Sequence, residues 1–142
     1  MKRFNFDFIL FNMNTKQKEI NLLNIQMLTT IIYVGSLFIS LSLTYNDRQS
    51  LLNKKKLYNE KQSQKISIGN RWLVLFLTFS YLFINYKNTN LAKEKGQKLW
   101  PFYLQVFSSE LSTLAAIIVL YVVIKTEGEQ YSIVSSIENP TL

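Results

Sequence analysis

The chain has 142 residues, about one domain's worth, and its mean hydropathy of +0.06 averages sharply separated apolar and charged blocks. It contains neither cysteine nor histidine, which excludes disulfides, thiolate nucleophiles, imidazole acid–base chemistry and the usual zinc, haem and iron–sulfur ligand sets. The formal charge of +7 is carried mainly by lysine; in a soluble protein it would suit nucleic acid, but lysines flanking apolar runs suit anionic lipid head groups better, so no nucleic-acid partner is expected.

Lys2 and Arg3 give the chain a basic start, yet residues 4–11 form a short apolar stretch that carries Asp7 and leads into Asn12, Met13 and Asn14. That is not the small-residue pattern of a cleavage site, and an uncleaved signal anchor is expected instead. Phe4, Phe6, Phe8, Ile9 and Phe11 would lay this segment along the head-group boundary. Asn14 with Gln17 is an N-cap signal, so the first helix is expected to start at Thr15 and run through Tyr45. Its apolar run, 22–45, exceeds the roughly 20 residues needed to cross a hydrocarbon core. Gln26, Thr29, Tyr33, Ser36, Ser40 and Thr44 recur at helical spacing and predict one polar face turned toward protein.

Residues 46–70 read as a basic loop containing Lys54, Lys55, Lys56, Lys61 and Lys65, with Leu51, Leu52, Leu57 and Tyr58 able to form a short surface helix. Gly69 and Asn70 read as a stop and an N-cap, which places the start of the second helix at Arg71. The span 71–88 is about 27 Å long, just sufficient if Arg71 and Lys87 reach out to the two interfaces. Trp72 and Tyr86 occupy aromatic-belt positions, and Thr78, Tyr81 and Asn85 mark one face. Helix is expected to continue to Lys95, with Gly96 as its C-cap and Pro101 in the first turn of the next helix. So short a connection makes the second and third helices an antiparallel hairpin. The third span, 102–124, opens on a belt of Trp100, Phe102 and Tyr103, and carries Gln105, Ser109, Ser112 and Ala116 on one face with Ser108 and Ala115 beside it. The tail, 125–142, is short and acidic, with Glu127, Glu129 and Glu138.

The fold expected is therefore all-α, an integral membrane protein of three transmembrane helices in a single domain. No phosphate-binding loop, nucleophile elbow, catalytic carboxylate pair or metal-ligand spacing occurs, so no enzyme activity, cofactor or metal is expected. Three features remain. Lys54, Lys55 and Lys56 read as a solvated loop, with specific lipid or partner contact as the functional alternative. The polar stripes read as helix-packing faces, with a water-filled path as the alternative. Glu110 is the acidic residue inside a predicted span. Because an ionised carboxylate is costly there, Glu110 is expected to face protein and be protonated, with Ser109, Thr113, Gln105, Tyr81 and Asn85 as neighbouring polar groups and Lys87 or Lys93 as candidate cations; its offset from the Gln105, Ser109 and Ser112 stripe leaves a different helix or another copy of the chain as the alternative.

The segments Leu41-Ser42-Leu43-Thr44-Tyr45-Asn46, Phe83-Ile84-Asn85-Tyr86-Lys87, Ala92-Lys93-Glu94-Lys95-Gly96 and Ser109-Glu110-Leu111-Ser112 resemble small three-helix membrane proteins of AT-rich bacteria. The resemblance implies a bacterial cell membrane and carries over no activity or functional residue. The expected role is a non-enzymatic accessory or structural subunit, packing against a membrane-protein partner or in a homo-oligomer; the alternative is an oligomeric pore, a holin-like protein or a small transporter. Orientation is undetermined by charge. Lys2, Arg3, Lys16 and Lys18 with Lys87, Lys93, Lys95 and Lys98 give eight positives on one side, and Arg48, Lys54, Lys55, Lys56, Lys61, Lys65 and Arg71 with Lys125 give eight on the other. The acidic tail tips the reading toward an inside N-terminus and an outside C-terminus, with dual topology as the alternative.

Overall fold

The computed structural model describes residues 2–125, with side chains described from residue 14 onward. The acidic tail beyond Lys125 and the aromatic side chains proposed to lie at the N-terminal boundary fall outside the described residues. Three helices follow in order: α1 (Lys2–Leu51), α2 (Glu60–Glu94) and α3 (Trp100–Lys125). All three are long and apolar enough to cross a membrane.

The boundaries correct several expectations. α1 begins at Lys2 instead of Thr15 and continues past Tyr45 to Leu51. It ends in a Schellman turn: Asn53 takes a left-handed conformation (φ 51°), its N–H donates to Ser50 O (3.1 Å), and Lys54 N–H donates to Gln49 O (2.9 Å). Asparagine is one of the few side chains that tolerates this conformation. The expected loop 46–70 therefore contracts to residues 52–59, with no surface helix at Leu52, Leu57 and Tyr58. The cap of α2 is Asn59, not Asn70. Asn59 N–H donates to Gln62 Oε1 (3.1 Å) and Gln62 N–H donates to Asn59 Oδ1 (2.8 Å), a reciprocal capping box. Gly69 and Asn70 lie well inside α2.

The other end of α2 matches the sequence reading to within a residue. Gly96 is left-handed (φ 65°), Gly96 N–H donates to Lys93 O (3.1 Å) and Gln97 N–H to Ala92 O (3.0 Å), which closes a second Schellman turn. Pro101 sits in the first turn of α3, where its missing N–H costs nothing.

Most buried positions follow a seven-residue repeat. In α2 these are Ser63, Asn70, Leu77, Ile84 and Leu91, with Thr89 and Ala92 buried beside them; in α1, Thr15, Thr29, Ser36 and Leu43 fill the same repeat with half-buried Leu22, and Asn46 is buried beside it. In α3, buried Ser109, Thr113 and Leu120 and half-buried Phe102, Val106, Ala116 and Val123 alternate spacings of four and three. A 3.5-residue period is that of knobs-into-holes packing, in which one narrow seam of each helix meets its neighbour. Contacts divide the chain into two compact units. One contains α1 up to Ile31 together with Thr78–Thr113; within it α1 packs antiparallel to the second half of α2, and α2 packs against the start of α3. The other contains Ile32–Leu77 and α3 from Leu114; within it the second half of α1 packs antiparallel to the first half of α2.

Candidate functional site

Residues of the seams are unusually polar, and the surfaces outside them unusually apolar. Thr29, Ser36, Asn46, Asn70, Thr89, Ser109 and Thr113 are buried, whereas Ile31, Phe38, Leu41, Phe76, Phe83, Phe107, Leu114 and Ile118 are exposed. In a water-soluble domain this distribution is reversed. Every buried side-chain nitrogen or oxygen among the described residues has a hydrogen-bond partner.

Three interhelical junctions use these groups. Between α1 and α2, Asn70 accepts from Ser36 Oγ (2.8 Å) and donates through Nδ2 to Ser40 Oγ (2.9 Å) and to Ser36 O (3.3 Å). Ser36 is 1% exposed and Asn70 5%, so this is the most enclosed polar group of the second unit. In the same unit Asn46 Oδ1 accepts the backbone N–H of Tyr58 (2.9 Å), which draws the α1–α2 connection back onto α1. In the first unit, Thr30 and Tyr81 share a hydroxyl–hydroxyl hydrogen bond of 2.9 Å between α1 and α2. Between α2 and α3, Asn85 Nδ2 donates to Ser109 Oγ (2.6 Å) and to Gln105 O (3.4 Å). Ser109 Oγ in turn donates to Gln105 O (3.0 Å), and Thr113 Oγ1 donates to Ser109 O (2.8 Å).

Of the polar group anticipated around Glu110, the structure joins Asn85, Ser109, Gln105 and Thr113 and sends Tyr81 to α1 instead. Glu110 does not join them. Its side chain is exposed and makes no hydrogen bond or ion pair within the described chain, so the expectation that it faces protein is not met by its own helices. The reason is angular: Ser109 and Thr113 lie on the α3 seam, and Glu110, one residue on from Ser109, is rotated by about 100° away from it. On α1, Thr29, Ser36 and Ser40 lie on or beside the seam, whereas Gln26, Tyr33 and Thr44 are exposed, so the stripe is narrower than expected.

Asn70 is the residue that sequence reasoning misread. Next to Gly69 it has the local signature of a helix start, but its spacing of seven from Ser63 and Leu77 places it on the buried seam. That spacing was the available signal.

The interhelical ion pairs lie outside the apolar runs 22–45 and 71–88. Lys18 pairs with Glu94 (3.4 Å) and Lys95 with Glu19 (2.7 Å), joining α1 to the end of α2. Lys54, Lys55 and Lys56 are exposed in the α1–α2 connection, and Lys56 lies 4.0 Å from Glu60. Partial burial pushes the Asp47 carboxyl above its ordinary value, and the Lys56 ammonium partly opposes this. Among the described residues no three acidic side chains converge as a metal site would require. The junctions are thus saturated donor–acceptor sets, suited to holding helices in register.

Compared with known proteins, the chain matches no family model, and neither a curated protein nor a solved structure shows significant similarity to it.

Proposed function

We propose that this chain is a multi-pass protein of the cell membrane, non-enzymatic, acting as an accessory or structural subunit that packs against partner helices or further copies of itself. The observation that carries the reading is the distribution of side chains: Leu, Ile and Phe cover the exposed surfaces of α1, α2 and α3, while Ser, Thr and Asn share the buried seams with Leu43, Leu77, Ile84, Leu91 and Leu120. Such a surface would aggregate in water and is satisfied by lipid. Helices in lipid gain nothing from burying Leu against Leu, so small residues and interhelical hydrogen bonds take over as the source of association. Alkaline carbonate extraction tests the reading: the chain should remain in the membrane pellet, and release into the supernatant would overturn it.

Glu110 supports association beyond the single chain. A carboxylate exposed on an apolar helix needs a donor from another copy or another protein, because lipid supplies none at that depth. The same residue favours the second reading, an oligomeric pore or small transporter, in which Glu110 would line a hydrated path. Reconstituted liposomes separate the two. Proton- or cation-dependent flux that Glu110→Gln abolishes supports the pore, whereas tight liposomes with an oligomer disrupted by Glu110→Lys support the packing subunit.

A further inference from the structure

Within the first unit, α1 and α2 line a half-open cleft of about 360 Å³. Its lining changes character along both helices, and in the same direction. On α1, Lys18 and Asn21 give way to Leu22 and Ile25; on α2, Glu94, Asn90 and Lys87, with buried Leu91 as the apolar residue among them, give way to Phe83. The polar residues on α1 precede the apolar run that begins at Leu22, and those on α2 lie at or beyond the end of the run that closes at Tyr86. One end of the cleft thus stands at head-group level and the other against hydrocarbon. From Lys18 to Ile25 the change takes about 10 Å of helix.

The charges in the cleft are unequal. Glu94 is already engaged by Lys18 at 3.4 Å. Among the described residues Lys87 has no acidic partner, and its ammonium rests 5.4 Å from the centre of the Phe83 ring. Lys18 and Lys87 against Glu94 leave one net positive charge, with the Asn21 and Asn90 amides beside it as donors. We infer that this cleft is a binding site for a monoanionic glycerophospholipid, whose phosphodiester meets Lys87, Lys18 and the two amides while the first part of its acyl chains lies against Leu22, Ile25 and Phe83. A free phosphate would use only the upper half; the apolar lower wall is what selects a lipid. A zwitterionic lipid would bring its own cation to a cleft whose single carboxylate is occupied. The inference rests on the membrane reading proposed above, and it places specific lipid contact at Lys18 and Lys87, apart from Lys54, Lys55 and Lys56.

The test uses the full chain purified in detergent, with native mass spectrometry to count retained lipid. Dioleoyl phosphatidylglycerol and dioleoyl phosphatidylcholine are offered in equal amounts, with Lys125→Glu as a charge-matched control at the end of α3. The parent and Lys125→Glu should retain phosphatidylglycerol preferentially. Lys87→Gln should weaken retention about fivefold and Lys87→Glu about thirtyfold, since each basic residue near an anionic head group contributes about one such step. Should Lys87→Glu fail to insert, Lys87→Gln carries the comparison. Equal retention of phosphatidylcholine, identical behaviour of the Lys87 and Lys125 variants, or displacement of the lipid by inorganic phosphate would each overturn the site. Carbonate extraction of the parent separates this from failure of the membrane reading: a chain that stays in the pellet yet shows no lipid preference disproves the site alone.

Discussion

Replacing Asn70 by alanine removes a side chain that makes three hydrogen bonds to α1, two through its amide nitrogen and one through its carbonyl oxygen. Interhelical hydrogen bonds in membranes average about 0.6 kcal/mol each, so the three together contribute about 2 kcal/mol. Two effects modify that figure. Ser36 Oγ loses its acceptor at a position with no access to solvent, which raises the cost, but a helical serine can turn back to the carbonyl four residues earlier, as Thr29 and Thr44 already do here, which lowers it. The expected loss is about 1–3 kcal/mol. Unfolding of the chain in mixed detergent micelles would measure it, with Asn24→Ala as an exposed amide control and a double-mutant cycle against Ser40→Ala. The cycle should return a coupling of about 0.5 kcal/mol or more, because both side chains share one bond. An Asn70→Ala variant as stable as Asn24→Ala, with zero coupling to Ser40, would refute the claim that this junction holds α1 and α2 together. Asn70→Leu is the sharper companion: it keeps the seven-residue repeat but supplies no interhelical hydrogen bond, so in a lipid-like medium it should be no more stable than Asn70→Ala and should lose the fixed register that a single buried asparagine confers in coiled coils.

Glu110→Gln should leave the helices and their assembly nearly intact, whereas Glu110→Lys should disrupt assembly without unfolding the single chain; cross-linking in membranes would show this, and parent-like cross-linking of Glu110→Lys would place the residue in water. Gly69 and Gly96 should respond oppositely to alanine. Nothing lies within 4 Å of a Cβ added at either position, so Gly69→Ala, inside α2, should stabilise by about 0.5–1 kcal/mol, while Gly96→Ala, at φ 65°, should destabilise by a similar amount; equal effects in a thermal melt would mean that α2 does not run through Gly69. Asp47 gives a pH dependence. Its carboxyl titrates above the ordinary value in the folded chain, so the folded state binds its proton more tightly than the unfolded one, and this group's contribution to stability declines as pH rises from the ordinary carboxylate value through the raised one. Asp47→Asn should flatten that decline and Lys56→Gln should deepen it; an unchanged pH profile in both variants would contradict the assignment.

What could be read from the sequence was whatever a single helix determines. The apolar runs 22–45, 71–88 and 102–124 each lie within one helix, and Gly96 and Pro101 mark a chain reversal because left-handed glycine and N-terminal proline are local properties of the backbone. Asn85 and Ser109 were both singled out and do meet. The errors arose where a neighbouring helix decides. Gly69-Asn70 is a good local stop, but Asn70 finds Ser36 and Ser40 on α1, so the amide that would have capped a helix start bridges two helices instead and α2 extends back to Asn59 and its capping box. The six-residue polar stripe on α1 was drawn too wide: between Thr29, Ser36 and Leu43 the seam is completed by half-buried Ile32 and Ile39, which turns Gln26 and Tyr33 outward. Glu110 was read against Ser109, Thr113, Tyr81 and Asn85 or, from its offset, against another helix or copy; the bonds of the first set prove to be spent within the seams and on Thr30.

A chain of three membrane-spanning helices must place its two helix connections on opposite faces of the bilayer. The chain has no cysteine of its own, so single cysteines at Asn53 and Gln97, both exposed and both between helices, report on those connections alone. If α2 spans the membrane, a membrane-impermeant thiol reagent applied to one face will label one position and leave the other for the opposite face. Labelling of both positions from the same face would contradict the account.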